Sequence, residues 1–423
     1  MDTSGLAPRR AAHHLLQQVT TEGRLLSELI GAGVLDHLEP QDRARAQRLA
    51  TDTLRMLDRA DRMLKPHLRQ TPADHVMNAL RLGTVELGQG EAAHGVVNAY
   101  VEIVSRNPHV GRLKGLTNAV LRKIAAAGPD KWNAMAQPLL PGWLRQPLVV
   151  AWGRSDVAAM EAVQAVAPPL DVTPKGDAGA VAAALGGKIL PTGSVRVAGA
   201  GQVSQMPGFD TGDWWVQDAA AAIPVQLLGD IAGLSALDLC AAPGGKTMQL
   251  AARGAVVTAV DNSATRMARV GENLRRMGLQ ADVRTDDAFD VTGQWDVVLL
   301  DAPCSATGTM RRHPDLPYAK DGSEFGDLIA QQETMIDHAL TLVKPGGRLL
   351  FCTCSLLPDE GEVQIEEALE RHPALTVDRA ALDRPGIDPA WITPEGGLRL
   401  RPDIWADIGG MDGFYMAVLT KPA

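Results

Sequence analysis

The run Leu237-Asp238-Leu239-Cys240-Ala241-Ala242-Pro243-Gly244-Gly245-Lys246-Thr247 constrains the fold more than any other part of the chain. Its apolar opening reads as a strand, its paired glycines as a tight turn, and Lys246-Thr247 as the start of a helix. Further strand candidates are residues 256–260, 282–284, 296–300 and 348–352, with helices starting near Thr247, Ala264 and Gln332 between them. Strand, crossover helix and strand repeated in this way predict an α/β fold with a doubly wound, Rossmann-like, largely parallel sheet. Residues 410–419 are a candidate for a final antiparallel strand.

A chain of 423 residues exceeds one hydrophobic core, so two or three domains are expected. Its 45% apolar and 22% charged residues belong to a folded protein, with no apolar run near the length of a membrane helix and no leader-like start. A cytoplasmic location and no membrane partner are expected. Cys240, Cys304, Cys352 and Cys354 form no CxxC pair and match no common zinc spacing, so no metal is expected and catalytic or buried thiols remain. Cys240 and Cys352 read as small buried hydrophobes. The net charge of −9 is unevenly spread: residues 1–150 hold 19 Lys+Arg against 14 Asp+Glu, and the remainder 22 against 36. The N-terminal part is therefore the expected docking surface for a polyanion.

The first ~130 residues have apolar positions at helical spacing and almost no strand signal. Ala46, Leu49, Ala50, Leu57, Ala60 and Leu64 form one stripe, and Arg43, Arg48, Arg55, Arg59 and Arg62 fall largely between them, predicting one helix with a basic outer side. Further helices are expected over residues 11–19, 75–87, 96–105 and 116–127, with Gly128-Pro129 as a break. The phrases at residues 80–87, 96–102 and 115–122 resemble the NusB-type RNA-binding helical bundle. Residues 141–230 shift to Ala, Gly, Val and Pro, suggesting a small α/β linker domain in which 214–218 is a strand feeding a helix over 219–228. The domains expected are thus residues 1–130, 141–230 and 231–423.

In such a sheet ligands bind at the carboxyl ends of the strands, beside the first glycine turn. A dinucleotide fingerprint is absent, and a Walker loop fails because Cys240 stands where its first glycine should be. The second strand ends at Asp261, a carboxylate placed to accept the hydroxyl hydrogens of a ribose, unless it is only a helix N-cap, a role Asn262 or Ser263 can fill. Asp286 or Asp287 can receive an adenine amino group. This loop, acid, acid series resembles that of S-adenosyl-L-methionine (AdoMet)-dependent methyltransferases, and alignment to their phrase favours Asp287. The resemblance implies AdoMet held by Cys240, Ala241, Ala242, Pro243, Gly244, Gly245, Lys246, Asp261, Asp287 and Asp301.

The fourth strand ends Asp301-Ala302-Pro303-Cys304-Ser305 and the fifth Thr353-Cys354-Ser355. With the glycine loop and Asp412-Gly413-Phe414-Tyr415, these motifs resemble the RNA 5-methylcytosine methyltransferases, specifically the bacterial small-subunit ribosomal-RNA methyltransferase B (Sun) family. Cytosine C5 is a poor nucleophile, so a thiolate must first add to C6 before C5 can take a methyl group. The resemblance implies that Cys354 is this nucleophile, that Cys304 assists loss of the C5 proton, and that Asp301 binds N3 and the amino group. In DNA 5-methylcytosine enzymes the Pro-Cys thiol attacks instead, which would give that role to Cys304. Cys352 shares a face with Cys354 unless the strand ends near Thr353. Arg311, Arg312 and His313 are candidate phosphate contacts. The implied partner is free or partly assembled 16S ribosomal RNA, met by a monomer; tRNA, or a non-catalytic assembly role, are the alternatives. Departures from the family at residues 171–173, 315–317 and 360–362 bear on substrate contacts.

Overall fold

The computed structural model describes residues 5–199 and 201–423. The chain falls into two units, Met1–Ala167 with Met310–Gly322, and Pro168–Thr309 with Ser323–Ala423. The sequence boundary at 141 lies inside the first unit and that at 230 inside the second.

The first unit is helical, with its long helices at Leu6–Glu22, Pro40–Arg55, Asp74–Gly88, Ala93–Ser105, Lys114–Asn133 and Gly142–Gln164. Leu15, Leu16, Leu54, Leu64, Leu80 and Tyr100 are fully buried in its core. Gly128 breaks the helix at φ +72°, a conformation costly for any residue with a Cβ. The single basic helix expected near residues 46–64 is instead two, Pro40–Arg55 and Leu57–Leu64, divided at Met56 with φ −105° and ψ 12°. Its basic side is largely consumed by neighbours. Arg55 is buried and donates to the carbonyls of Gln164 and Arg311, Arg62 pairs with Asp58 and binds the carbonyls of Ala136 and Gln137, and Arg59 lies over the Trp132 ring. Arg9 and Glu86 form a buried ion pair at 2.6 Å, to which the Tyr100 hydroxyl also donates.

The second unit holds two sheets. The smaller comprises β1 (Leu170–Pro174), β2 (Lys188–Ile189), β3 (Val195–Val197) and β4 (Trp214–Val216) in the order β2-β3-β1-β4, all antiparallel. Asp171 and Arg196 face each other across it in a buried pair. The larger comprises β5 (Ser235–Leu239), β6 (Val256–Val260), β7 (Asp282–Arg284), β8 (Trp295–Asp301), β9 (Val343–Thr353), β10 (Thr376–Val377), β11 (Leu398–Leu400) and β12 (Phe414–Thr420). The order β10-β12-β9-β8-β5-β6-β7, parallel from β9 to β7, is the doubly wound sheet, with β12 antiparallel to β9. Leu237, Leu239, Val298, Leu300, Leu349 and Phe351 pack on one face and Ala236, Val297, Leu299, Leu350 and Cys352 on the other. Both faces are thus covered, as a parallel sheet requires.

The β9 strand starts earlier than the apolar run indicates. Trp295 pairs with Val343 and Val297 with Arg348, so Lys344-Pro345-Gly346-Gly347 is a bulge within the ladder. The order in which the chain adds strands reverses between the parallel pair β5 and β8, and in such a sheet the ligand crevice lies at the carboxyl ends of those two strands. Among the described residues no helix is long and apolar enough to cross a membrane.

Candidate active site

The chain leaves β5 through Cys240 at φ +60° and enters the helix Gly245–Ala252 through Gly244 at φ +99°. The latter is reserved for glycine both by this angle and by Val270, whose methyls would stand 3.2 and 3.3 Å from a Cβ. Beside the turn is a cavity of about 100 Å³ lined by Cys240, Asp261, Asn262, Arg266, Asp287, Ala288, Phe289, Pro303, Gln331 and Met335. The Asp261 carboxylate accepts from Ala242 N at 3.2 Å and Ser263 N at 3.0 Å, with Arg266 at 3.6 Å. The N-cap of the following helix, Ala264–Met277, is Ser263. Asp287 lines the cavity and accepts from Phe289 N.

This lining suits an adenosine bearing a cation. Two carboxylates face into a cavity with apolar walls at Ala288, Phe289, Pro303 and Met335, and its one arginine is already engaged by Asp261 and the Ala242 carbonyl. Burial, then Asp301, Asp261 and Asp238, push the Cys240 thiol up to about 12, so it stays neutral and leaves the field negative. Cys240 is therefore cavity wall as well as packing. Below the turn, burial raises the Asp238 carboxyl to about 7 despite a 2.6 Å hydrogen bond from Thr247 Oγ1.

The two thiols meet one crevice further on. Cys304 Sγ and Cys354 Sγ are 3.5 Å apart, contributed by the turns after β8 and β9. Asp301, the last residue of β8, accepts from Lys246 Nζ at 2.7 Å on one oxygen and from Cys352 Sγ at 3.5 Å on the other. Burial acts to lower the Lys246 ammonium, yet Asp301 and the nearby thiols outweigh it and hold the group protonated. Its Nζ also lies 4.8 Å from the centre of the Phe414 ring. The hydrogen bond to Cys354, then burial, push the Cys304 thiol well above the ordinary cysteine range.

The β9 strand ends at Thr353, so Cys352 is in the ladder and Cys354 beyond it. Cys352 is fully buried, but its contact with Asp301 makes it more than packing. Several residues at this site were missed from the sequence. Lys246 was read only as part of the cofactor loop, Phe414 had no role, and Glu360 was noticed only within a stretch departing from the family. Gly308 was not singled out either: its N–H donates to the Cys354 carbonyl and its carbonyl accepts from Gly413 N, joining three turns. The phosphate-contact reading of Arg311 is corrected. Its side chain is fully buried, and the segment carrying it belongs to the helical unit, where Asp315 accepts from Leu26 N at 2.8 Å.

Comparison with known proteins bears on this arrangement. Residues 226–420 match the family described as 16S rRNA methyltransferase RsmB/F, and residues 6–126 match the NusB family. The ribosomal RNA small subunit methyltransferase B of Erwinia tasmaniensis is 34% identical over 447 residues, covering 98% of each chain. That of Vibrio cholerae is 34% identical, covering 98% of this chain and 97% of its own. The crystal structure of PH0851 shares the fold at a TM-score of 0.76 and 22% identity, over 98% of this chain and 99% of that one. The structure of NSun6 from Pyrococcus horikoshii with SFG does so at 0.57 and 18%, over 67% and 98%.

Proposed function

Because the chain belongs to the RsmB/F family of 16S rRNA methyltransferases, with AdoMet as cofactor, we propose that it methylates C5 of a cytosine in 16S ribosomal RNA through a covalent Cys354 adduct. The observation that carries this reading is the pair of thiols 3.5 Å apart beside the Asp301–Lys246 ion pair. Residues 1–130 serve as the RNA-binding domain, 141–230 as a linker and 231–423 as the catalytic domain, acting as a monomer in the cytoplasm on free or partly assembled RNA. The cavity residues Cys240, Asp261 and Asp287 hold the cofactor together with the turn Ala241, Ala242, Pro243, Gly244 and Gly245. When bound, AdoMet supplies an electrophilic methyl group on a sulfonium.

Cys354 Sγ adds as thiolate to C6, and the C5=C6 pair moves onto C5, making that carbon nucleophilic. Asp301 accepts from the exocyclic amine, and from N3 when that nitrogen carries a proton, with Lys246 balancing its charge in a site of low dielectric. Cys304 is suited to the release step. In the resting site it shares a hydrogen bond with Cys354; once Cys354 is a thioether, the part of the rise in the Cys304 thiol that came from the Cys354 hydrogen bond and charge is gone, and Cys304 ionises more readily than before. As thiolate it takes the C5 proton, the C–H pair re-forms C5=C6, and the C6–S pair returns to Cys354. The raised Cys304 thiol, which ionises less readily in the resting site, disfavours the assignment in which Cys304 attacks. The target base must be unstacked for both ring faces to be reached, which favours single-stranded or unfolded RNA.

The test uses methyl-labelled AdoMet and 16S rRNA lacking the modification, followed by digestion to nucleosides. Labelled 5-methylcytidine supports the proposal; label in another nucleoside, or transfer to tRNA alone, refutes it. Cys354→Ala should abolish transfer, whereas Cys304→Ala should leave protein and RNA joined.

A further inference from the structure

Glu360 lies in the turn after β9, fully buried, and every donor it takes is neutral. One oxygen accepts from Ser305 N at 2.8 Å and Gln332 Nε2 at 3.1 Å. The other accepts from Ser305 Oγ and Ser355 Oγ, each at 2.5 Å. Gln332 Nε2 also donates to the Pro303 carbonyl at 2.8 Å, and Thr353 Oγ1 donates to the Glu360 carbonyl at 2.8 Å. The residues on both sides of Cys304 and on both sides of Cys354 are therefore tied to one residue or to its partner Gln332. A buried carboxylate is costly unless fully satisfied, so this one fixes the positions of its donors rather than following them.

We propose that Glu360 is a positioning residue that sets the separation of Cys304 and Cys354 for release of the methylated base, an inference resting on the covalent reading above. It acts through the two turns, not on the substrate.

Glu360→Gln in the full chain retains size and removes the charge. It should bind AdoMet as wild type does and complete a first methyl transfer. It should then accumulate a covalent protein–RNA complex with ordinary cytosine RNA, seen on a denaturing gel, with kcat reduced about 10²-fold for a ~1 Å misplacement and KM for RNA unchanged. Turnover at the wild-type rate without accumulation overturns the proposal, as does activity lost only in step with AdoMet binding. Should that variant not fold, Gln332→Leu, which severs the ties to Pro303 and Glu360, should show the same accumulation more weakly; its absence overturns the proposal too. Wild-type protein is run beside them on RNA containing 5-fluorocytosine, whose C5 has no proton to lose. Failure of the wild type to become trapped there at Cys354 removes the covalent reading and this inference with it, whereas trapping with normal release by Glu360→Gln removes only this inference.

Discussion

Gly308→Ala is a sharp probe of the site, because one methyl group bears on three turns. A Cβ there would stand 2.0 Å from the Gly413 carbonyl oxygen, 2.6 Å from its carbon and 2.8 Å from the Cys354 carbonyl oxygen. Ordinary contact begins near 3.4 Å, so the backbone must yield by about 1.4 Å, and none of the obstacles is a flexible side chain. The shift breaks the 2.9 Å bond from Gly308 N to Cys354 O and the 2.8 Å bond from Gly413 N to Gly308 O. Overpacking of this kind costs about 1–3 kcal/mol, and each lost hydrogen bond a further ~0.5–1.5 kcal/mol. A displacement near 1 Å at Cys354, the proposed nucleophile, should lower kcat by about 10²-fold. Gly308 does not line the cavity proposed to hold the cofactor, so AdoMet affinity should hold. Calorimetry, thermal unfolding and methyl transfer on one preparation separate these effects. Gly271→Ala is the control: nothing lies within 4 Å of its Cβ, and in a helix it should stabilise by about 0.5–1 kcal/mol with kcat unchanged. Wild-type kcat in Gly308→Ala would refute the reasoning.

Three other outcomes are expected. Asp261→Asn should weaken AdoMet by the ~1.5–3 kcal/mol of a hydrogen bond to a charged group, measured by calorimetry, and unchanged affinity would remove Asp261 from the cofactor. Arg9→Met leaves the buried Glu86 carboxylate with only the Tyr100 hydroxyl and Arg45 at 4.0 Å, and should cost up to about 3–5 kcal/mol in denaturant unfolding, a loss under 1 kcal/mol contradicting the pairing. The folded pKa of Asp238 near 7 exceeds the unfolded value of 3.8, so the folded state binds the extra proton and its stabilisation is present below pH 3.8 and lost as pH rises through 7. Asp238→Asn should therefore flatten the fall in melting temperature across that window, and an identical fall in both proteins would contradict it.

Much of the catalytic sheet was legible because its strands are apolar runs bounded by turn residues. Residues 256–260 and 282–284 match β6 and β7 in full. The beginning of β9 was not, since Pro345-Gly346-Gly347 carries every mark of a loop and lies in the ladder as a bulge flanked by the β8 pairs of Val343 and Arg348, with Gly346 and Gly347 bonded to Lys421. The helix Phe325–Thr341 likewise starts seven residues before Gln332, because Gly326 and Asp327 interrupt its opening and its buried stripe begins only at Gln332. Charge pattern misled most at Arg55 and Arg311. Both read as surface residues, yet Arg55 finds its carbonyl partner 256 positions away. Asp301, Cys304 and Cys354 come together because the ends of neighbouring parallel strands must. Glu360 and Gln332 could not be foreseen, for their contacts depend on how turns close, which no periodicity encodes.

The interleaving of the chain limits how the molecule can be taken apart. Residues 310–322 continue directly from the turn holding Cys304 and Gly308, but Leu316 is buried within the helical unit, and Tyr318 and Ala319 pack against that unit's core. Trp143 Nε1 donates to the Pro317 carbonyl there, and Asp315 caps Leu26. A fragment beginning at Pro168 would keep the whole sheet and still carry thirteen residues stripped of their packing. No single cleavage yields two self-sufficient pieces, so gene fusion of an unrelated targeting module to the sheet alone would inherit a frayed loop next to the paired thiols of Cys304 and Cys354.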